Sequence, residues 1–97
     1  MEPNMIDSFA TSDDCQHLTV TWKSGEETAF PAAYLRQEAK DAWSIRERID
    51  HGEVAVQPGI LITGLARVGN GINVHFSDGH DKAIYPFPYL RELSTGL

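Results

Sequence analysis

A single cysteine, Cys15, is all the thiol this 97-residue chain contains. That excludes an internal disulfide framework and any zinc or iron–sulfur centre built from several cysteines of the chain. No run approaches the roughly 20 apolar residues that cross a bilayer, and no basic-then-apolar leader opens the sequence. The expectation is a soluble, unexported, cytoplasmic protein without a membrane partner. Basic residues are also scarce, with 8 Lys and Arg against 14 Asp and Glu. Nothing forms the basic stripe that a phosphate-backbone binder needs, which excludes nucleic acid as a partner.

What is present is an ordinary globular mixture, 41% apolar and 23% charged. A chain of this length buries roughly two-thirds of its unfolded surface, enough for one modest core. Residues 1–16 are acidic, carry no Lys or Arg, and hold no sustained period of 2 or 3.6. They are read as a flexible acidic tail in which Ile6 and Phe9 dock loosely, with a single domain over 17–97.

From Leu18 the pattern sharpens. Leu18, Val20 and Trp22 alternate with Thr19 and Thr21, as in a half-buried strand, and Lys23-Ser24-Gly25 turns the chain into a second strand over 26–30. Pro31 opens AAYLRQEAK, a helix with proline in its first turn. Residues 41–51 read as one or two helical turns ending at Gly52, residues 53–58 as a short extended piece, and 60–68 as an apolar β-branched strand. Gly69-Asn70-Gly71 is a hairpin-type reversal lacking the third glycine and following helix of a dinucleotide fingerprint. Ile72, Val74 and Phe76 alternate in the next strand, Asp78-Gly79 turns, residues 80–85 return, and Pro86 and Pro88 lead into a helix around YLREL. The loop at Asp78-Gly79 fits two residues or three, which place opposite faces inward.

The segment LTVTWKSGEETAFPAAYLR aligns with INVHFSDGHDKAIYPFPYLR after one insertion near Ile84. Each reads strand, tight turn, strand, proline, short helix. A lone hairpin is marginal because one face stays wet and its edges stay unpaired. Two such units sharing a core resolve that, so the fold expected is α+β: a small, mainly antiparallel β domain of two hairpin-plus-short-helix repeats.

The run FSDGHDKAIYPFPYLREL, with LTVTWKSGEETAFPAAYLR upstream, resembles the gamma-butyrobetaine hydroxylase-like N-terminal domain family. That family includes stand-alone bacterial proteins of domain-of-unknown-function family 971, and the resemblance covers roughly residues 17–93. It implies an accessory module that precedes a catalytic barrel in the larger oxygenases without being the catalyst; related modules are appended to ATPases of iron–sulfur cluster delivery. In the oxygenases, cysteines just after the first Tyr-Leu-Arg-type motif join a histidine in binding zinc. Here Tyr34-Leu35-Arg36 is followed by QEAKDAW, without cysteine, and His80 is the one zinc-ligand position retained. Since structural zinc needs about four ligands, no metal and no cofactor are expected.

Candidate sites are few. His51 and Glu53 with His75 or His80 outline a two-histidine, one-carboxylate iron triad, but an oxygenase barrel does not fit beside the repeat. Cys15 sits beside Asp13 and Asp14, whose charge disfavours thiolate. Arg36 and Arg91 recur after Tyr-Leu, either bridging helix to sheet or forming a paired anion grip. His75, His80 and Asp81 gather at one hairpin, a solvated loop or a binding edge. With no catalytic constellation, the expectation is a non-enzymatic interaction module whose partner is an unidentified protein or a second copy. Its contact residues would be His75, Asp78, His80, Asp81, Tyr85, Phe87, Tyr89 and Arg91, on a rigid aromatic–proline run. The alternative is a metal-linked accessory factor for iron or iron–sulfur handling.

Overall fold

Alternation decides the sheets. The structure, a computed structural model, describes residues 5–52 and 54–97. β1 (Ile6–Thr11), β2 (His17–Trp22) and β3 (Glu27–Pro31) form one antiparallel sheet in that order, and α1 (Ala32–Gln37) and α2 (Ala42–His51) follow. β4 (Ile62–Val68), β5 (Gly71–Phe76) and β6 (Ala83–Pro86) form a second antiparallel sheet, closed by α3 (Phe87–Ser94). Leu18, Val20 and Trp22 of β2 and Ile72, Val74 and Phe76 of β5 point inward, and with Phe30, Leu35, Tyr85 and Leu90 they build one continuous core. No helix among the described residues is long and apolar enough to cross a membrane.

The two halves correspond in detail. The loop after β2 is closed by Gly25 N–H donating to Trp22 O (2.9 Å) and Trp22 N–H donating to Glu26 O (2.8 Å). The loop after β5 repeats this with Gly79 to Phe76 O (3.0 Å) and Phe76 to His80 O (2.9 Å). Both glycines have positive φ, +92° and +89°, which a side chain would disfavour. The second loop therefore also has three residues, a register that alone would set Lys82 and Ile84 inward; one extra residue in this half puts Ala83 and Tyr85 there instead. The extra residue of the second half lies at Asp81-Lys82, ahead of Ala83, rather than near Ile84 as the sequence suggested. Pro31 and Pro86 each end a strand and start a helix, at φ −60° and −57°. The first free helical amides are not wasted: Ala32 N–H donates to Gln16 O and Phe87 N–H to Asn70 O.

One expectation is corrected. Residues 6–11, read as part of a mobile tail, form β1 and pair with β2 from Ile6↔Trp22 to Thr11↔Leu18. Ile6 is buried and Phe9 packs against the core. These residues are three apart, which a regular strand cannot place on one face; an irregularity between Ile6 and Ser8 does it. β4 has the same irregularity between Ile62 and Gly64 and the same spacing from Ile62 to Leu65. Residues 54–58 form no strand, although Val54 is buried, and β4 begins at Ile62.

The connection into β2 holds Cys15 at φ +62°, where the second half uses Gly69 at φ +56°. A non-glycine residue in this region is uncommon and sterically costly.

The halves are tied crosswise at their helix ends. Tyr34 of the first half donates its hydroxyl to Leu93 O (2.8 Å), and Tyr89 of the second donates to Glu38 O (2.6 Å). Burial raises the pKa of both phenols, so they remain donors throughout the physiological range. Replacing either tyrosine by phenylalanine is expected to lower the unfolding free energy by about 1 kcal/mol, the worth of one such bond. Urea titration should show a lower midpoint at unchanged slope, equally for both variants.

Candidate functional site

A buried polar cluster lies where the helices meet the second sheet's turn. Leu35 faces the core from the middle of α1, which puts its neighbour Arg36 under α2, only 4% exposed. A guanidinium there needs partners, and it has two. Arg36 Nε donates to Asp78 Oδ2 (3.0 Å) in the β5–β6 turn, and Nη1 donates to Ser44 Oγ (3.0 Å) on α2. Ser44 Oγ donates to Asp41 Oδ1 (2.9 Å), while Ser44 N–H reaches Asp41 Oδ2 (3.1 Å), so Asp41 caps α2. His80 Nε2 lies 2.9 Å from Asp41 Oδ1, with both side chains at or below 10% exposure. Asp78 also receives the His80 backbone N–H at 2.9 Å. Burial alone would raise the Asp41 pKa, but the His80 and Ser44 hydrogen bonds outweigh it and hold the carboxyl below its ordinary value.

The cluster does not fit zinc. The stretch that follows Tyr34-Leu35-Arg36 supplies Asp41, whose oxygen is already bonded to His80, and the Arg36 cation stands one serine away. A structural zinc ion needs about four ligands, and a cation beside a guanidinium is repelled. Among the described residues, no three His, Cys, Asp or Glu side chains are grouped to hold a metal ion. Glu53 of the supposed iron triad lies outside the described residues.

The expected contact residues separate. Asp78 and His80 spend their side chains in the cluster. His75 Nε2 sits 2.6 Å from Asn73 Oδ1. Asp81 is exposed. Tyr85 and Phe87 are corrected outright: they are core residues at 0% and 2% exposure, and Tyr85 donates its hydroxyl to Leu35 O in the interior. The aromatic–proline run alternates, with Tyr85 and Phe87 inward and Pro86 and Pro88 outward, so it presents prolines rather than aromatics. Tyr89 is half-buried beneath Lys40, whose Nζ lies 4.2 Å from the ring centroid. Arg91 pairs with Glu26 through both guanidinium nitrogens at 3.1 Å, over the Trp22 ring. Both arginines thus bridge to the other half's turn, and neither is half of an anion grip.

Sequence reasoning missed Asp41 and Ser44. The signal available was local: an aspartate directly before a helical stretch, with serine three residues on, is a helix-start signature.

It also missed the outward face of α2. This ten-residue helix has one buried residue, Ser44, and polar ties fasten it. Besides Ser44, Arg48 Nη2 donates to the α1 carbonyls of Gln37 (3.0 Å) and to Ala39 O. Its large apolar residues face solvent: Trp43 at 70%, Ile45 at 42% and Ile49 at 77%. Beside Trp43 runs an open depression of about 490 Å³, lined by Arg46, Glu47, Asp50 and His51.

Fold and cluster together define a small α+β module in which two sheet-plus-helix halves share one core and lock each other's turns. Residues 10–91 match the family described as gamma-butyrobetaine hydroxylase-like, N-terminal, and the chain belongs to that family. The fold is similar to a crystal structure of a protein of unknown function of the DUF971 family from Acidithiobacillus ferrooxidans. That likeness has a TM-score of 0.75 and 21% identity, over 97% of this chain and 98% of the other. Two proteins solved by NMR in solution are also similar, with TM-scores of 0.73 and 0.68 and identities of 20% and 24%. They cover 95% and 94% of this chain, and 70% and 73% of their own. No curated protein matches the chain.

Proposed function

We propose that this chain is an accessory protein-interaction module of the cytoplasm, with no reaction centre of its own, that docks through α2. One observation carries the reading: a helix whose one buried side chain is a serine turns Trp43, Ile45 and Ile49 to solvent. Exposed single apolar residues are ordinary, but Ile45 and Ile49 stand one turn apart on one flank of α2 with Trp43 on the other, and we read the face between them as one that another macromolecule covers. At the second hairpin Asp78 and His80 support the same reading, because their side chains are spent on Arg36 and Asp41 of the first half. The matched halves are read as one unit duplicated. The metal-handling alternative gains nothing from the side chains, since His80 is committed to Asp41.

The test is a photo-crosslinking residue at position 49, irradiated in the native cell. A discrete product that a probe at exposed Lys82 does not give supports the reading. The absence of any discrete product at 49 overturns it.

A further inference from the structure

We propose that the covering partner of α2 is a second copy of this chain, packed antiparallel about a twofold axis, α2 against α2. The inference rests on α2 being the docking surface and adds the identity of its occupant. Along the outward face the order is Trp43, then Arg46, then Ile49 and Asp50, so a cation precedes an anion. Arg46 and Asp50 are both free to reach outward, with side chains 82% and 52% exposed and only a loose 3.7 Å contact between them.

That order selects an orientation. A parallel copy would set Arg46 beside Arg46 and Asp50 beside Asp50. An antiparallel copy sets Arg46 of each protomer beside Asp50 of its partner, twice, as a self-complementary twofold interface requires. Trp43 on one flank and Ile49 on the other then enclose the two ion pairs and keep water from them. Arg46 and Asp50 put both signs on the face, and Glu47 adds a second acid beside Trp43, so a strongly acidic partner gains nothing from it.

The area sets the strength. Ten helical residues span roughly 15 Å, and a patch of that length falls below the roughly 1,200 Å² of a standard interface. The dimer is therefore weak and concentration-dependent, with a dissociation constant on the order of 100 μM.

Sedimentation velocity of the purified full chain, from about 5 μM to about 1 mM, tests this. The expected result is a rise from monomer to dimer mass, with the emission of Trp43 moving to shorter wavelength in parallel. The buried Trp22 supplies a constant background. Arg46→Asp alone and Asp50→Arg alone should each weaken association at least tenfold, and the double exchange should restore it. Both positions are exposed, so circular dichroism should show the variants folded. A monomer mass throughout the range overturns the proposal. So does a dimer indifferent to both single exchanges, because the contact then lies elsewhere. A position-49 crosslink to a different protein also overturns it, while leaving the docking role of α2 intact.

Discussion

Replacing Arg36 by alanine should lower the melting temperature by about 15 °C or more. The guanidinium is the one cation between Asp78 and the Asp41–Ser44 pair. Removing one partner of a buried ionic network costs about 3–5 kcal/mol, because the charge left behind keeps its desolvation penalty. For a domain of this size each kcal/mol moves the melting point by roughly 4–8 °C. The Asp78 side chain is 18% exposed, so water relieves part of its loss and the lower end of that range is expected. Arg91 occupies the matching place in the second half and pairs with Glu26, whose side chain is 54% exposed. Arg91→Ala should therefore shift the melting point far less. Differential scanning calorimetry of the two variants decides the matter: equal shifts would mean that the Arg36 cluster is not a structural tie.

Asp41→Ala should release α2 while sparing the sheets. The substitution removes the helix cap, worth about 1 kcal/mol, and strips His80 and Ser44 of their shared acceptor. With the bonds to charged groups counted, the loss is about 3 kcal/mol. Little apolar burial holds α2, so the loss should appear as local opening. Amide exchange at 45–52 should rise at least tenfold, with β2 and β5 amides changing much less. The same carboxylate sets an acid dependence. Its pKa is lowered in the folded chain, so its contribution is complete above the ordinary value of 3.8 and disappears as pH falls below it. Exchange at α2 in the unsubstituted chain, taken relative to the intrinsic rate that itself slows in acid, should accelerate over that acid range. In Asp41→Ala it should already be fast at neutral pH and gain no such step. Uniform acceleration across the whole molecule would place α2 in the same cooperative unit as the sheets.

Most of the fold was legible because β2 and β5 obey a clean period of two and their turns carry glycine where positive φ is needed. β1 was not, because its irregularity converts an alternating pattern into the spacing Ile6–Phe9, which resembles no element. The left-handed reversal ahead of β2 was equally hidden, since Cys15 stands where Gly69 announces the equivalent turn. Tyr85 and Phe87 misled for a different reason: prolines suggest surface, and here they occupy the outward positions of an alternation whose inward positions are aromatic. The polar cluster joins residues from 36 to 80, and no local spacing encodes contacts of that separation. Only the capping pair Asp41 and Ser44 left a trace that a reader could follow. The outward face of α2 was visible as residues but not as exposure, because Ile45 and Ile49 at helical spacing look like a core stripe until the body of the protein is seen on the other side.

The crossed tyrosines bear on how such a chain can change over generations. Each donates to a backbone oxygen, and a carbonyl is present whatever residue stands at Leu93 or Glu38. Sequence drift at Glu38 therefore leaves its fastening intact, whereas a side chain at Gly96, whose Cβ would stand 2.6 Å from the Tyr34 hydroxyl, would disturb the other.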